Sequence, residues 1–200
     1  MDEAAFPAYS HRNPLINFLF WERIRAVINY LEHASPYNAV MDFGCGSGVL
    51  LPFLSGISTK VDAVDINLSP LEKIKQYVIF PGNIEYFNPG KDALECFSPA
   101  SFDIIIALDV LEHVDNLQHT LATLCKMLTP KGKIIVSGPT ENLIYKIGRA
   151  FAGSEYTGDY HRRSIYQIKK MLATMASVKN ISVLYYPFPL FEVFYGQVEN

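Results

Sequence analysis

Basic residues are in short supply in this chain, cysteines are rarer still, and no long apolar run is present. Lys and Arg number 17 against 20 Asp and Glu, which gives a net charge of -3. No stripe of Lys or Arg appears, which argues against a broad nucleic-acid surface. The 3 cysteines (Cys45, Cys96 and Cys125) are odd in number and lack C-x-x-C spacing. Neither a disulfide framework nor a metal site is therefore expected, and a reducing compartment is. The start, Met1-Asp2-Glu3-Ala4, is acidic and lacks the basic-then-apolar plan of a signal peptide. No apolar run approaches the ~20 residues that a membrane helix needs. A cytoplasmic protein without stable membrane insertion is the expectation, with peripheral contact left open. Internal repeats and low-complexity segments are absent as well. What the chain does have is apolar content, 50% of its 200 residues, which suits one domain with a sizeable core.

From Phe20 to Leu31 the apolar residues recur at nearly helical spacing. A strand over 39–43 then runs into a glycine-rich turn, and a helix is expected from about Ser47 to Leu54. A second strand spans 60–66, and Ser69-Pro70-Leu71-Glu72 reads as a capped helix start with Pro70 at the first helical position. That helix is expected to reach Phe80. Residues 83–87 read as a third strand, and 102–108, a nearly unbroken apolar run, as a fourth that is buried on both faces. Leu117, Leu121, Leu124 and Leu128 mark a helix over 116–128, and 133–137 a fifth strand. Strands alternating with helices imply right-handed βαβ units and a parallel sheet. The tail departs from this pattern. A helix over 165–176 leads to strands over 181–186 and 190–195, joined by Pro187-Phe188-Pro189, a link short enough to require antiparallel pairing.

The turn Asp42-Phe43-Gly44-Cys45-Gly46-Ser47-Gly48 carries most of the functional information. A glycine turn between strand and helix is where open α/β sheets bind nucleotide-like ligands. A dinucleotide fingerprint, G-x-G-x-x-G, would need a third glycine where Val49 stands. The pattern here, D-x-G-x-G-x-G, closely resembles motif I of class I methyltransferases that use S-adenosylmethionine. Two further blocks add to the resemblance: Phe87-Asn88-Pro89-Gly90-Lys91-Asp92-Ala93, like the family's F-x-x-G-D-A with Lys91 inserted, and Ser101 to Val114, with its Leu108-Asp109-Val110-Leu111-Glu112-His113 exit. Leu128-Thr129-Pro130-Lys131-Gly132 resembles the family's L-x-P-G-G turn, with Lys131 where a glycine stands. Within the class the chain looks most like the methyltransferase type 11 group.

The resemblance implies a three-layer Rossmann-like α/β sandwich: a seven-stranded, mostly parallel sheet in the order 3-2-1-4-5-7-6 with strand 7 antiparallel. It implies one domain over 1–200, made of an N-terminal helical segment (1–38), a cofactor-binding core (39–137), a lid or acceptor element (138–163) and a final helix with a hairpin (164–200). The expected donor is S-adenosylmethionine, released as S-adenosylhomocysteine. Gly44, Cys45, Gly46 and Gly48 would hold its methionine part, beside backbone N–H groups that favour a carboxylate. Asp42 would attract the ammonium. Asp65, with Ile66 after it, would accept from the ribose hydroxyls. The resemblance gives Asp92 and Ala93 to the adenine, and Leu108, Asp109 and Val110 to the slot near the sulfur. The bland alternatives are a helix-capping acid at Asp65 and a turn acid at Asp92.

Transfer from a sulfonium needs positioning above all. A base is needed only where the acceptor must lose a proton. His113 and His161 are the candidates, because imidazole titrates near neutrality. A structural hydrogen bond is the competing role for His113. Aromatic residues Phe18, Phe20 and Trp21 either wall an apolar acceptor pocket or simply cover the sheet. The expected partner is a small, apolar or lipid-like acceptor methylated at O, N or C, and no nucleic acid. The oligomeric state is not legible. Three rival functions are weighed: a non-catalytic binding or regulatory protein on this scaffold, a nicotinamide-dependent oxidoreductase, and a nucleic-acid methylase. Val49 and the terminal hairpin oppose the second. The acidic balance opposes the third, as does Asp109-Val110-Leu111-Glu112 in place of an Asn/Asp-Pro-Pro-Tyr loop.

Overall fold

Central strands of a parallel sheet bury both faces, and this chain's strands are apolar enough to do so. In the computed structural model, which describes residues 14–34, 36–89, 93–140, 163–185 and 187–199, they form one seven-stranded sheet. The elements run α1 (Pro14–Glu32), β1 (Tyr37–Phe43), α2 (Leu51–Ile57), β2 (Ser58–Val64), α3 (Ser69–Lys75), β3 (Ile84–Phe87), β4 (Phe102–Leu108), α4 (Leu117–Met127), β5 (Leu128–Pro139), α5 (Ile165–Leu172), β6 (Ser177–Leu184) and β7 (Phe191–Gln197). A 3₁₀ turn (Ala93–Cys96) precedes β4. The strand order is β3-β2-β1-β4-β5-β7-β6, and β7 is antiparallel to both of its neighbours. The order and the antiparallel seventh strand match the expected architecture.

Successive strand residues point to opposite faces. Val40, Ile104, Ile106, Ile135 and Val193 meet α1 through Ile24, Val27 and Leu31, and α2 through Leu51 and Leu54. Met41, Ile105, Ala107, Ile134, Val136 and Phe194 meet α4 and α5 through Leu121, Leu124, Ile168 and Leu172. The result is three layers. The strand order reverses at β1, which lies between β2 and β4. Such a switch point leaves a crevice outside the carboxyl ends of the strands, where ligands of open α/β sheets bind. No helix among the described residues is long and apolar enough to cross a membrane.

Several boundaries depart from the sequence reading. The helix after the glycine turn begins at Leu51 and not at Ser47, because the positive φ angles of Gly46 and Gly48 are incompatible with a right-handed helix there. Pro52 thus falls in the first helical turn, where a missing N–H costs nothing. Ser69 is not a cap. Leu68 occupies that position with no side-chain bond, and the Ser69 N–H donates to Asn67 Oδ1 at 3.1 Å. α3 ends at Lys75, well before Phe80. α5 ends at Leu172, and β6 begins at Ser177. Of the expected lid or acceptor element over 138–163, residues 141–162 lie outside the described residues.

Candidate functional site

The glycine turn owes its shape to its glycines. Gly44, Gly46 and Gly48 have φ of +83°, +53° and +79°, which side-chain-bearing residues seldom adopt. Space is restricted as well. A Cβ on Gly44 would lie 2.6 Å from Val110 Cγ2, and one on Gly48 2.6 Å from Leu71 Cδ1. The turn is stitched to the end of β2, for the Gly44 and Cys45 N–H groups donate to Val64 O at 2.8 and 3.1 Å. Asp65, just beyond β2, accepts from the Gly46 N–H through Oδ2 at 2.8 Å and from the Asn67 N–H through Oδ1 at 2.9 Å. Each carboxylate oxygen has room for a further donor. Asp65 is therefore able to hold the turn and still receive a ligand hydroxyl.

Asp42, on β1 just before the turn, is buried, and burial pushes its carboxyl up to about 7, with the charge of Asp65 adding to the rise. Among the described residues no ion pair reaches Asp42, and an ammonium-bearing ligand would supply the cation. Cys45 is buried beside it, and burial holds its thiol protonated, which removes it as a nucleophile.

β4 supplies the opposite wall. Leu108 ends the strand, and Val110 packs over Gly44. Asp109 between them has φ of +52°, and its N–H donates to Ser137 O at 3.0 Å. The Asp109 side chain forms an ion pair with Arg23 of α1, which is 2% exposed. The guanidinium lies 4.6 Å from the ring centroids of both Phe20 and Phe191. Ser137, on β5 beside Leu108, is buried, and its hydroxyl has no hydrogen-bond partner among the described residues. Arg163 reaches the same exit loop, donating to Val114 O at 2.6 Å and Asp115 O at 2.9 Å.

The turn, Asp42, Asp65, Leu108, Asp109 and Val110 thus meet at one sheet edge. Ile66 follows Asp65 but is 83% exposed. Ala93 opens the 3₁₀ turn. His113 is exposed on the exit loop, with its N–H donating to Val110 O at 3.1 Å. Asp92 and His161 lie outside the described residues. Among the described residues no group of three or more His, Cys, Asp or Glu is placed to hold a metal. Sequence reasoning missed Arg23, Ser137 and Phe191. Arg23 carried a signal: it is a lone charge within the apolar stripe of Phe20, Ile24, Val27 and Leu31. Phe20 packs on Phe191 at 5.8 Å between centroids, and Trp21 packs against the core, whereas Phe18 is largely exposed.

This arrangement on a 3-2-1-4-5-7-6 sheet defines the class I, S-adenosylmethionine-dependent methyltransferase scaffold. The chain belongs to the methyltransferase-domain family, whose model matches residues 15–178. It is 31% identical over 168 residues to a ubiquinone biosynthesis O-methyltransferase of Nitrosococcus oceani, covering 80% of this chain and 67% of that one. A relative of the same name from Stutzerimonas stutzeri is 27% identical over 150 residues, 72% of this chain and 63% of its own length. The matches span between 40% and 67% of the length of such curated relatives. Among solved structures, the N-methyltransferase NodS of Bradyrhizobium japonicum WM9 superposes with a TM-score of 0.63 at 14% identity, over 94% of this chain and 99% of that one. NodS has also been solved with S-adenosyl-L-homocysteine. At this identity the likeness is one of fold.

Proposed function

We propose that this domain transfers a methyl group from S-adenosylmethionine to a hydroxyl oxygen of a small, apolar, lipid-like acceptor. The observation that carries the donor half is the glycine turn, closed to any Cβ at Gly44 and Gly48, with buried Asp42 on one side and Asp65 on the other. The residues fit the donor. The bare backbone of the turn takes the methionine part, Asp42 answers its ammonium, and Asp65 accepts from the ribose hydroxyls. The acceptor half rests on the relatives named for ubiquinone biosynthesis, together with Phe20 and Phe191 beside the exit of β4.

When bound, the donor supplies a methyl group on a sulfonium, a leaving group that is already activated. The chain's work is orientation and exclusion of water. Leu108 and Val110 form an apolar wall that keeps solvent from the reacting centre. With the donor held between the glycine turn and Leu108–Val110, these residues would present its methyl carbon in line to an acceptor oxygen, the carbon–sulfur bonding pair remaining on sulfur, and the hydroxyl proton would pass to a base. His113 and His161 are our candidates for that base. Incubation with S-adenosylmethionine and a prenylated catechol tests the reading. It predicts release of S-adenosylhomocysteine with a methyl ether as co-product. Release with amine acceptors alone would refute the O-transfer assignment.

A further inference from the structure

A guanidinium taken out of water needs a counter-charge and donors satisfied around it. Arg23 finds its counter-charge in Asp109 and lies against two aromatic faces. These partners come from three parts of the chain: Phe20 from α1, Asp109 from the exit of β4 and Phe191 from the start of β7. They meet because β7 runs antiparallel, which pairs Phe191 with Pro139 at the edge where β4 and β5 end. A second bond ties the hairpin to α1, the Tyr185 hydroxyl donating to Leu19 O at 3.2 Å.

Asp109 is under unusual constraint. Its φ of +52° is a conformation that persists only where the surroundings impose it. Its Oδ1 is buried without a hydrogen-bond partner among the described residues, and Arg23 takes Oδ2. Val110, the next residue, rests on the bare Cα of Gly44. A chain of contacts therefore runs from α1 through Arg23, Asp109 and Val110 into the glycine turn.

We propose that Arg23 is a positioning residue of the transfer site. Through Asp109 it sets the exit turn of β4, so docking of α1 and binding of the donor are one coupled event. This rests on the reading that the donor lies between Gly44–Gly48 and Leu108–Val110. Coupling of this kind is reciprocal: the donor must tighten α1 as much as α1 tightens the donor.

Calorimetry with S-adenosylhomocysteine and amide exchange in α1 test it in the full chain. In the wild type, ligand should slow exchange across α1. Arg23→Met should weaken the ligand about tenfold or more, since small misplacements carry large penalties in such sites. The double variant Arg23→Met/Asp109→Asn should recover part of that loss, because the carboxylate left without its partner has gone. Arg23→Lys should fall between, keeping the charge but losing the planar fork. A role in stability alone would lower the melting temperature of Arg23→Met and leave its affinity within about twofold of wild type, and that result overturns the inference. Should Arg23→Met not fold, Asp109→Asn decides: ligand-induced protection of α1 equal to that of wild type refutes the coupling. A wild type that binds no S-adenosylhomocysteine would instead remove the donor reading itself, and this inference with it.

Discussion

Asp42 is the residue whose charge state most affects the donor site. Its carboxyl is held up to about 7, against an ordinary value of 3.8, by burial and then by Asp65. The unfolded chain releases this proton near 3.8 while the folded protein keeps it to about 7. Asp42 thus adds stability that is full below the unfolded value and is lost as pH rises to about 7. Donor affinity runs the other way, because an ammonium prefers the ionised acid. Affinity for S-adenosylhomocysteine should fall by up to about tenfold per pH unit below 7. Calorimetry at pH 6 and pH 8 should show the slope in wild type and its loss in Asp42→Asn. Gly44 is constrained differently. Gly44→Ala meets Val110 at 2.6 Å with φ at +83°. It should cost about 2 kcal/mol or more of stability and abolish ligand binding. Gly56→Ala is the control: it lies in helix α2 with nothing within 4 Å and should stabilise by about 0.5–1 kcal/mol. Denaturant melts of both variants check the pair.

At the scale of elements, the irregularity near the start of β5 departs from good backbone chemistry. Lys131 has φ of +67°, and Gly132 beside it is hemmed in by Thr129 O at 2.8 Å and Phe102 O at 3.0 Å. Lys131→Gly should relieve the first strain and stabilise by about 0.5–1 kcal/mol, visible as a higher denaturation midpoint. Pro130 and Gly132 read as a break before a strand over 133–137, yet pairing with β4 resumes across an irregularity and β5 runs from Leu128 to Pro139. β4 was legible to the residue because Phe102 to Leu108 is apolar at every position but Asp103, and its central residues Ile104 to Ala107 are buried. The helix over 47–54 was misplaced because glycine spacing reveals a turn without revealing which φ angles it takes. The two carboxylates and the glycines were legible because local chain order puts them at strand ends. Arg23 was not, for its partner lies 86 positions along the chain and only the folded sheet brings the two together.

For the whole molecule, one sheet covered on both faces makes a rigid platform, and its switch point between β1 and β4 places the reactive edge. α1 and the β6–β7 hairpin close that edge from one side, through Arg23 on Asp109 and Tyr185 on Leu19. A ligand that binds only the folded state adds about 2.7 kcal/mol at a hundredfold excess over its Kd. For a domain of this size that is a rise of about 5–10 °C in melting temperature. S-adenosylhomocysteine should produce it and NAD should not, because Val49 stands where a dinucleotide turn needs glycine. The most direct test of the central claim is a crystal structure of the chain with S-adenosylhomocysteine. The amino-acid end of the ligand should lie on the Gly44–Gly48 turn, with its ribose hydroxyls on Asp65 and its sulfur facing Leu108–Val110. A ligand seated away from the carboxyl ends of β1 and β4, or with its ribose out of reach of Asp65, would contradict it.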